Sequence, residues 1–503
     1  MTVPSALHRI AAITPVRAAA ATVAVALLAL GGSVLSGVAG PFAPLALLVL
    51  AGALLLSWRA PSWALAAGLS LAPFEGLQVP VAGIGGLSPT EGALVLVAVG
   101  WVLRAFTGSG RTVWPRAADA PVLALIVLVA PGLALGAERV VVVKVMVMWT
   151  AFYLSYLTAR SLTRPERQRV VLALGLGAAI LGLTGLQAYL AGGGAVLASS
   201  GAYGRASSGI PDPNYYAGYL QLAAVPVLAI GIARRGAVRA FALVASACCT
   251  LGIVLSLSRG ATLGLVLGAS LVVMAWSRSR RATLVGAGVL VVLGAINLDP
   301  LLSTPLAQTV GARLSSSGDL GGNGDRLSLW RFALRLIVEH PFGIGFDRFG
   351  DYAAQSGLTV RTEPFQQAHN VYLNLAVELG VLGLVAFLAW VAVILRDVQR
   401  VARQGAAHPD FALAIGIGAA FAGYLFQALT VTLYQVQIIQ ATFFVLAGLA
   451  AGLTQPERRP DAEIDAGKAE GRVASSESAA ASGTARLKDG SSSAAGRSND
   501  AAW

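Results

Sequence analysis

Residues 260–276 read GATLGLVLGASLVVMAW, a stretch without a single charge, and the chain then turns at once to Ser277-Arg278-Ser279-Arg280-Arg281. As a helix this block spans about 26 Å, close to the roughly 30 Å hydrocarbon core of a bilayer. Blocks of the same kind recur at 18–39, 42–57, 61–73, 89–106, 120–136, 140–158, 170–190, 214–233, 239–257, 282–298, 371–395, 411–431 and 434–453. Soluble core helices do not come in that form. The pattern predicts an all-α polytopic membrane protein with about 12–14 transmembrane helices. Composition agrees, because only 12% of the 503 residues are charged and 56% are hydrophobic, against about 25% charged in soluble proteins.

Every second connection between blocks is basic. Arg9/Arg17, Arg59, Arg104/Arg111/Arg116, Arg160/Arg164/Arg167/Arg169, Arg234/Arg235/Arg239, Arg278/Arg280/Arg281 and Arg396/Arg400/Arg403 fall on one side, whereas the short connections of the other hold Arg139, Arg205 and Arg259. Basic loops stay in the cytoplasm, so both termini are expected there. The net charge of +12 is therefore an orientation signal rather than a nucleic-acid footprint, and no nucleic-acid partner is expected. Residues 42–73 read either as two spans or as one re-entrant hairpin, and 18–39 reads as a span or a cleaved signal sequence. The later orientation is the same in every case.

Four regions follow. Residues 1–298 hold the N-terminal spans, 299–369 form one large external loop carrying short helices, 370–454 hold the C-terminal spans, and 455–503 read as a disordered cytoplasmic tail. The loop carries six arginines on the side that normally avoids them. Within it Asp325 is placed to cap a helix over Arg326–His340, with Leu327, Trp330, Leu334 and Ile337 at helical spacing and Pro341 to stop it. That helix either lies on the membrane surface or packs on its neighbours.

His369 stands where the loop re-enters the membrane, in Gln367-Ala368-His369-Asn370-Val371-Tyr372-Leu373. A neutral imidazole there could take a proton from a hydroxyl, a contribution of about 10² to 10⁴ in rate. Arg259, in Ser258-Arg259-Gly260, and Arg205, just ahead of Asp212-Pro213-Asn214, lie on the same face; Arg326 and Arg331 sit in the loop helix. The arginine fork suits diphosphate oxygens, although each arginine alone could simply anchor to phospholipid. Lys144, inside a predicted span, is either a functional charge or one that snorkels to the headgroups. The adjacent Cys248 and Cys249 suggest neither disulfide nor metal site. No nucleotide motif or metal-ligand spacing is present, so neither a cofactor nor a metal is expected.

His369-Asn370-x-Tyr372-Leu373 followed by Glu378-Leu379-Gly380 and Gly383, with the upstream Asp325-Arg326, Trp330, Pro341-x-Gly343-x-Gly345 and Phe349, resembles the signature of the O-antigen ligase and polymerase superfamily. Ser258-Arg259-Gly260 and Asp212-Pro213-Asn214 are similar to its recurrent elements in the same order, and the resemblance covers roughly residues 200–395. It implies a metal-independent membrane glycosyltransferase of the bacterial cytoplasmic membrane, working at the outer face in surface polysaccharide assembly. The donor would be a glycan on a polyprenyl diphosphate such as undecaprenyl diphosphate, and the acceptor a hydroxyl of a glycan, lipid or protein. By the same resemblance His369 would be the base, and Arg259, Arg205 and Arg326 or Arg331 would grip the diphosphate. Asn370, Tyr372 and Asn214 would be supporting positions. The competing class, a multispanning transporter or lipid flippase, calls for polar residues at mid-bilayer and paired interrupted helices. The polar residues here gather instead at the outer face.

Overall fold

A computed structural model describes residues 43–81, 85–108, 111–191, 205–277, 323–360, 363–364 and 367–455. The expected spans at 18–39 and 282–298, the loop before 323 and the tail lie outside the described residues. Among those described, fifteen α-helices carry the architecture: α1 (Ala43–Arg59), α2 (Pro61–Ser70), α3 (Pro89–Thr107), α4 (Ala120–Val129), α5 (Arg139–Arg160), α6 (Arg164–Leu190), α7 (Pro213–Ala233), α8 (Gly236–Leu255), α9 (Arg259–Trp276), α10 (Asn323–Glu339), α11 (Phe349–Gln355), α12 (Val371–Glu378), α13 (Gly380–Ala402), α14 (Phe411–Gln427) and α15 (Gln437–Gly452). Two short antiparallel ribbons, Val79–Val81 with Gly85–Leu87 and Thr359–Val360 with Glu363–Pro364, complete them. Seven helices (α3, α5 to α9 and α13) are long and apolar enough to cross a membrane, with shorter apolar helices beside them. The chain is an all-α membrane protein.

Helix α7 is the axis of the bundle. Tyr216, Tyr219, Leu220 and Val225 are fully buried, because α6, α8, α9, α14 and α15 pack around it. Helices in lipid gain little from hiding apolar surface and associate through small residues instead. Gly264 of α9 and Gly423 of α14 supply such a contact: a Cβ added to Gly264 would lie 2.7 Å from the Gly423 carbonyl oxygen.

The basic connections collect at one end. Arg160 donates to Asp119 at 2.7 Å, Arg116 to Asp397 at 2.6 Å and Arg167 to Asp410 at 2.8 Å, each aspartate being buried. Arg104 donates to the Ser57 carbonyl and the Thr158 hydroxyl, and Arg169 to the Ser62 hydroxyl. Removing one partner from such a pair would strand a buried charge, so these bridges fix which helices are neighbours.

Three predicted boundaries move. The 61–73 block is a ten-residue helix followed by a 3₁₀ turn at Ala72–Phe74. Ser62 near its start accepts from Arg169, and the Pro73 carbonyl after its end faces Gly209. The 371–395 block is broken: α12 stops at Glu378, and the long helix α13 starts at Gly380, whose φ of 74° no regular helix accommodates. The loop helix begins at Asn323 rather than Arg326, so Asp325 lies within its first turn instead of capping it.

Candidate functional site

The end opposite the basic connections gathers the sequence motifs, and the loop reaches it through a backbone clasp. Ile344 N–H donates to the Val377 carbonyl at 2.9 Å, Gly345 N–H to Glu378 at 3.1 Å, and Val381 N–H to the Pro341 carbonyl at 2.9 Å. Gly343 sits at φ 92° against Gly380; a Cβ on either would come within 2.6 Å of the other strand's backbone. Helix α10 lies over α12. Leu329, Ala333 and Leu336 are buried with Ala368 and Val377, while Leu327 and Leu334 are exposed. The apolar face expected from the sequence divides: Trp330 and Ile337 pack against this cluster, Leu327 and Leu334 stay exposed, and the helix meets its neighbours through the Leu329, Ala333 and Leu336 stripe instead.

His369 is held from both sides. The Trp330 indole N–H donates to the Ala368 carbonyl at 3.1 Å, and Ala368 N–H to Asn374 Oδ1 at 2.9 Å. Asn370 Oδ1 caps α12 by accepting from Tyr372 and Leu373, while its amide donates to the Leu429 carbonyl at 3.1 Å. His369 itself adopts φ 49°, joining Leu257 and Asp347 as the non-glycine residues with positive φ among those described. All three lie at this end of the bundle, and held strain of this kind clusters at functional sites. Burial, then the Arg326 guanidinium, push the imidazole down to about 4, with Asp212 opposing.

Arg205 is buried, donating through Nε to the Ser256 carbonyl at 2.8 Å and through Nη2 to Asn214 Oδ1 at 2.9 Å. One turn ties the neighbouring motifs together. Ala428 accepts from Val371 N–H at 2.8 Å, Leu429 holds Asn370, and Thr430 Oγ1 lies 2.7 Å from where a Cβ on Gly260 would stand. Arg259 and His369 are thus each one or two residues from the same turn, and Gln427 donates to the Asn214 carbonyl at 3.2 Å. Helices α7, α9 and α12 all begin here, so three positive dipole ends converge with the arginines. Arg259 is exposed at the start of α9.

Arg331 is not part of this group. It is exposed, about 140° around α10 from Arg326 at 100° per residue. Arg326, four residues ahead of Trp330, shares that residue's face. The Tyr372 hydroxyl donates inward to the Leu425 carbonyl at 2.8 Å, which makes Tyr372 an anchor for α12. Lys144 is half-buried and meets Glu91 at 3.4 Å and the Gly86 carbonyl at 2.5 Å. Asp212 belongs to a sequence motif that gave it no role; it caps α7, and its charge acts on His369. The motifs also passed over Tyr215, whose hydroxyl donates to Gln367 Oε1 at 2.9 Å. Tyr215 adjoins the Asp212 motif, but only the fold shows which way either residue faces. Among the described residues no group of three or more His, Cys, Asp or Glu could hold a metal ion.

Residues 244–388 match a family model described as O-antigen ligase. The match runs from α8 into α13 and includes Arg259, Arg326 and His369. Comparison with curated proteins gave no match.

Proposed function

We propose that this chain, a member of the O-antigen ligase and polymerase superfamily through its O-antigen ligase domain, transfers a glycan from a polyprenyl diphosphate to an acceptor hydroxyl. The family ties it to surface polysaccharide assembly; donor, chemistry and residue roles are our reading. One observation carries it: a half-buried His369 whose basicity is lowered beside Arg326, at the point where Arg205, Arg259 and three helix N-termini gather. A dianionic leaving group fits converging guanidinium forks and dipole ends.

In this mechanism the acceptor oxygen attacks the anomeric carbon while the bond from that carbon to the diphosphate oxygen breaks. The acceptor proton passes to His369, and the diphosphate leaves with its charge held by Arg205, Arg259 and Arg326. An imidazole near 4 is a weak base for a free alcohol. Proton transfer then comes late, when attack has already made the hydroxyl acidic. Bound diphosphate also offsets Arg326, which raises the basicity of His369 when substrate is present. The reaction lies at the outer membrane face, since the opposite end bears the basic connections and so faces the cytoplasm. The activated donor supplies the driving force.

The test is transfer from undecaprenyl-diphosphate-linked oligosaccharide by purified protein, read on a gel. Wild type should consume donor and His369→Ala should lose about 10² to 10⁴ in rate. A ladder of products identifies a polymerase and a single shifted acceptor a ligase. Equal activity of the two proteins would remove His369 from the chemistry.

A further inference from the structure

Next to the His369 cluster lies a cleft of about 450 Å³, lined in part by Lys144, Phe346, Gln367, Gln435, Gln437 and Gln440. That volume is within the range of about 300–1,000 Å³ usual for small-molecule sites. The cleft shares a wall with the cluster. Tyr215 also lines it and is bonded to Gln367, while the next residues along the chain are Asn214, which holds Arg205, and, two beyond Gln367, His369.

Its polar lining holds one cation, Lys144, and one carboxylate, Asp347, beside the Tyr215 hydroxyl and four glutamines. Lys144 already has Glu91 and the Gly86 carbonyl, so it does not ask for an anion. Four amides remain, and three carry a buried atom without a hydrogen-bond partner: Gln435 Nε2, Gln437 Oε1 and Gln440 Nε2. Gln440 is informative because it is only 5% exposed and its orientation is settled. The Trp149 indole can only donate, and it donates to Gln440 Oε1 at 2.8 Å, so the Gln440 NH₂ is left as an unsatisfied donor. Orphaned buried donors and acceptors are costly, and because these atoms are sealed from solvent, a ligand that both donates and accepts would satisfy them only once the glutamine side chains turn into the cleft. Val140, Val141, Val145 and Phe346 supply apolar wall. Uncharged hydroxyls against amides, with C–H faces against apolar side chains, describe a pyranose ring.

Resting on the function proposed above, we propose that this glutamine-lined cleft is the subsite for a neutral sugar residue next to the reacting bond. The sugar belongs either to the donor glycan or to the acceptor, and the two sources are separable. Purified full-length protein would be titrated with bare undecaprenyl diphosphate and with lipid-linked glycan extracted from the host's membranes. The comparison runs wild type beside Gln435→Leu/Gln437→Leu, Gln440→Glu (which keeps the Trp149 acceptor) and Arg205→Ala.

Glutamine variants that bind the lipid-linked glycan at least tenfold more weakly, with bare carrier unchanged, assign the donor sugar. Unchanged donor binding with an acceptor KM raised at least tenfold assigns the acceptor sugar. Arg205→Ala should weaken both lipids alike. Glutamine variants that weaken both lipids alike, or change neither donor binding nor acceptor KM, overturn the subsite while leaving the transferase reading standing. Wild type that binds neither lipid overturns that reading and the subsite with it.

Discussion

At the scale of single residues the sequence pointed to His369 and Arg205, but not to the neighbours that surround them. A histidine after a long external loop stands out because the chain has only four. Its depressed basicity depends on burial and on Arg326, which lies more than forty residues away in sequence. The pH profile should therefore be distinctive. As the proposed base His369 must be deprotonated to act, so on that proposal activity falls as pH drops through its pKa. The acid limb of kcat/KM, which reports free enzyme, should lie near 4, and that of kcat, which reports the substrate complex, should lie higher. Arg326→Gln should raise the kcat/KM limb yet leave it below about 6.5, since burial remains; a limb near 6.5 in wild type would contradict the buried setting. Arg205 makes a second case. Its planar fork reaches the Ser256 carbonyl and Asn214 at once, a geometry that a single ammonium does not reproduce. Arg205→Lys should cost at least tenfold in kcat/KM despite keeping the charge, and wild-type kinetics for that variant would show that charge alone suffices.

At the scale of elements, the proline expected only to stop the loop helix and the glycines near it are part of a fastening. Pro341–Gly345 and Glu378–Gly380 exchange backbone hydrogen bonds, and both glycines take positive φ where the strands approach within the reach of a Cβ. Gly380→Ala should cost more than the roughly 1–3 kcal/mol of αL strain, because its Cβ would also lie 2.6 Å from the Phe342 carbonyl carbon. Gly357→Ala is the control: φ is 74° there, yet nothing lies within 4 Å. Unfolding temperature in detergent should fall several degrees further for Gly380→Ala than for Gly357→Ala, and equal shifts would mean that the clasp contact adds nothing. Periodicity alone could not find the buried face of α10. Its sequence carries two apolar stripes, one through Leu327 and Leu334 and one through Leu329, Ala333 and Leu336. The second is buried, small Ala333 sitting in the same cluster as Ala368 and Val377. Which stripe packs depends on α12, and sequence spacing within α10 carries no record of that.

At the scale of the whole molecule the bundle was largely legible, because bilayer thickness and arginine placement are written locally. The break at Gly380 and the shortened α2 were not, since a run of apolar residues gives total length and not where the helix stops. Neither were the aspartates Asp119, Asp397 and Asp410, which meet arginines from distant connections. Their burial gives the orientation a physical test. The end holding Arg116, Arg160, Arg167 and Arg400 should face the cytoplasm, and the end holding His369 should face outward. Single cysteines in a Cys248→Ala/Cys249→Ala background report this directly: Ser356→Cys is exposed beside the loop helix α11, and Gln404→Cys is exposed between α13 and α14. A membrane-impermeant maleimide on intact cells should label Ser356→Cys at once and Gln404→Cys only after permeabilisation. The reverse pattern would turn the molecule over. His369 would then open to the cytoplasm, and a lipid-linked donor presented at the outer leaflet could not reach it.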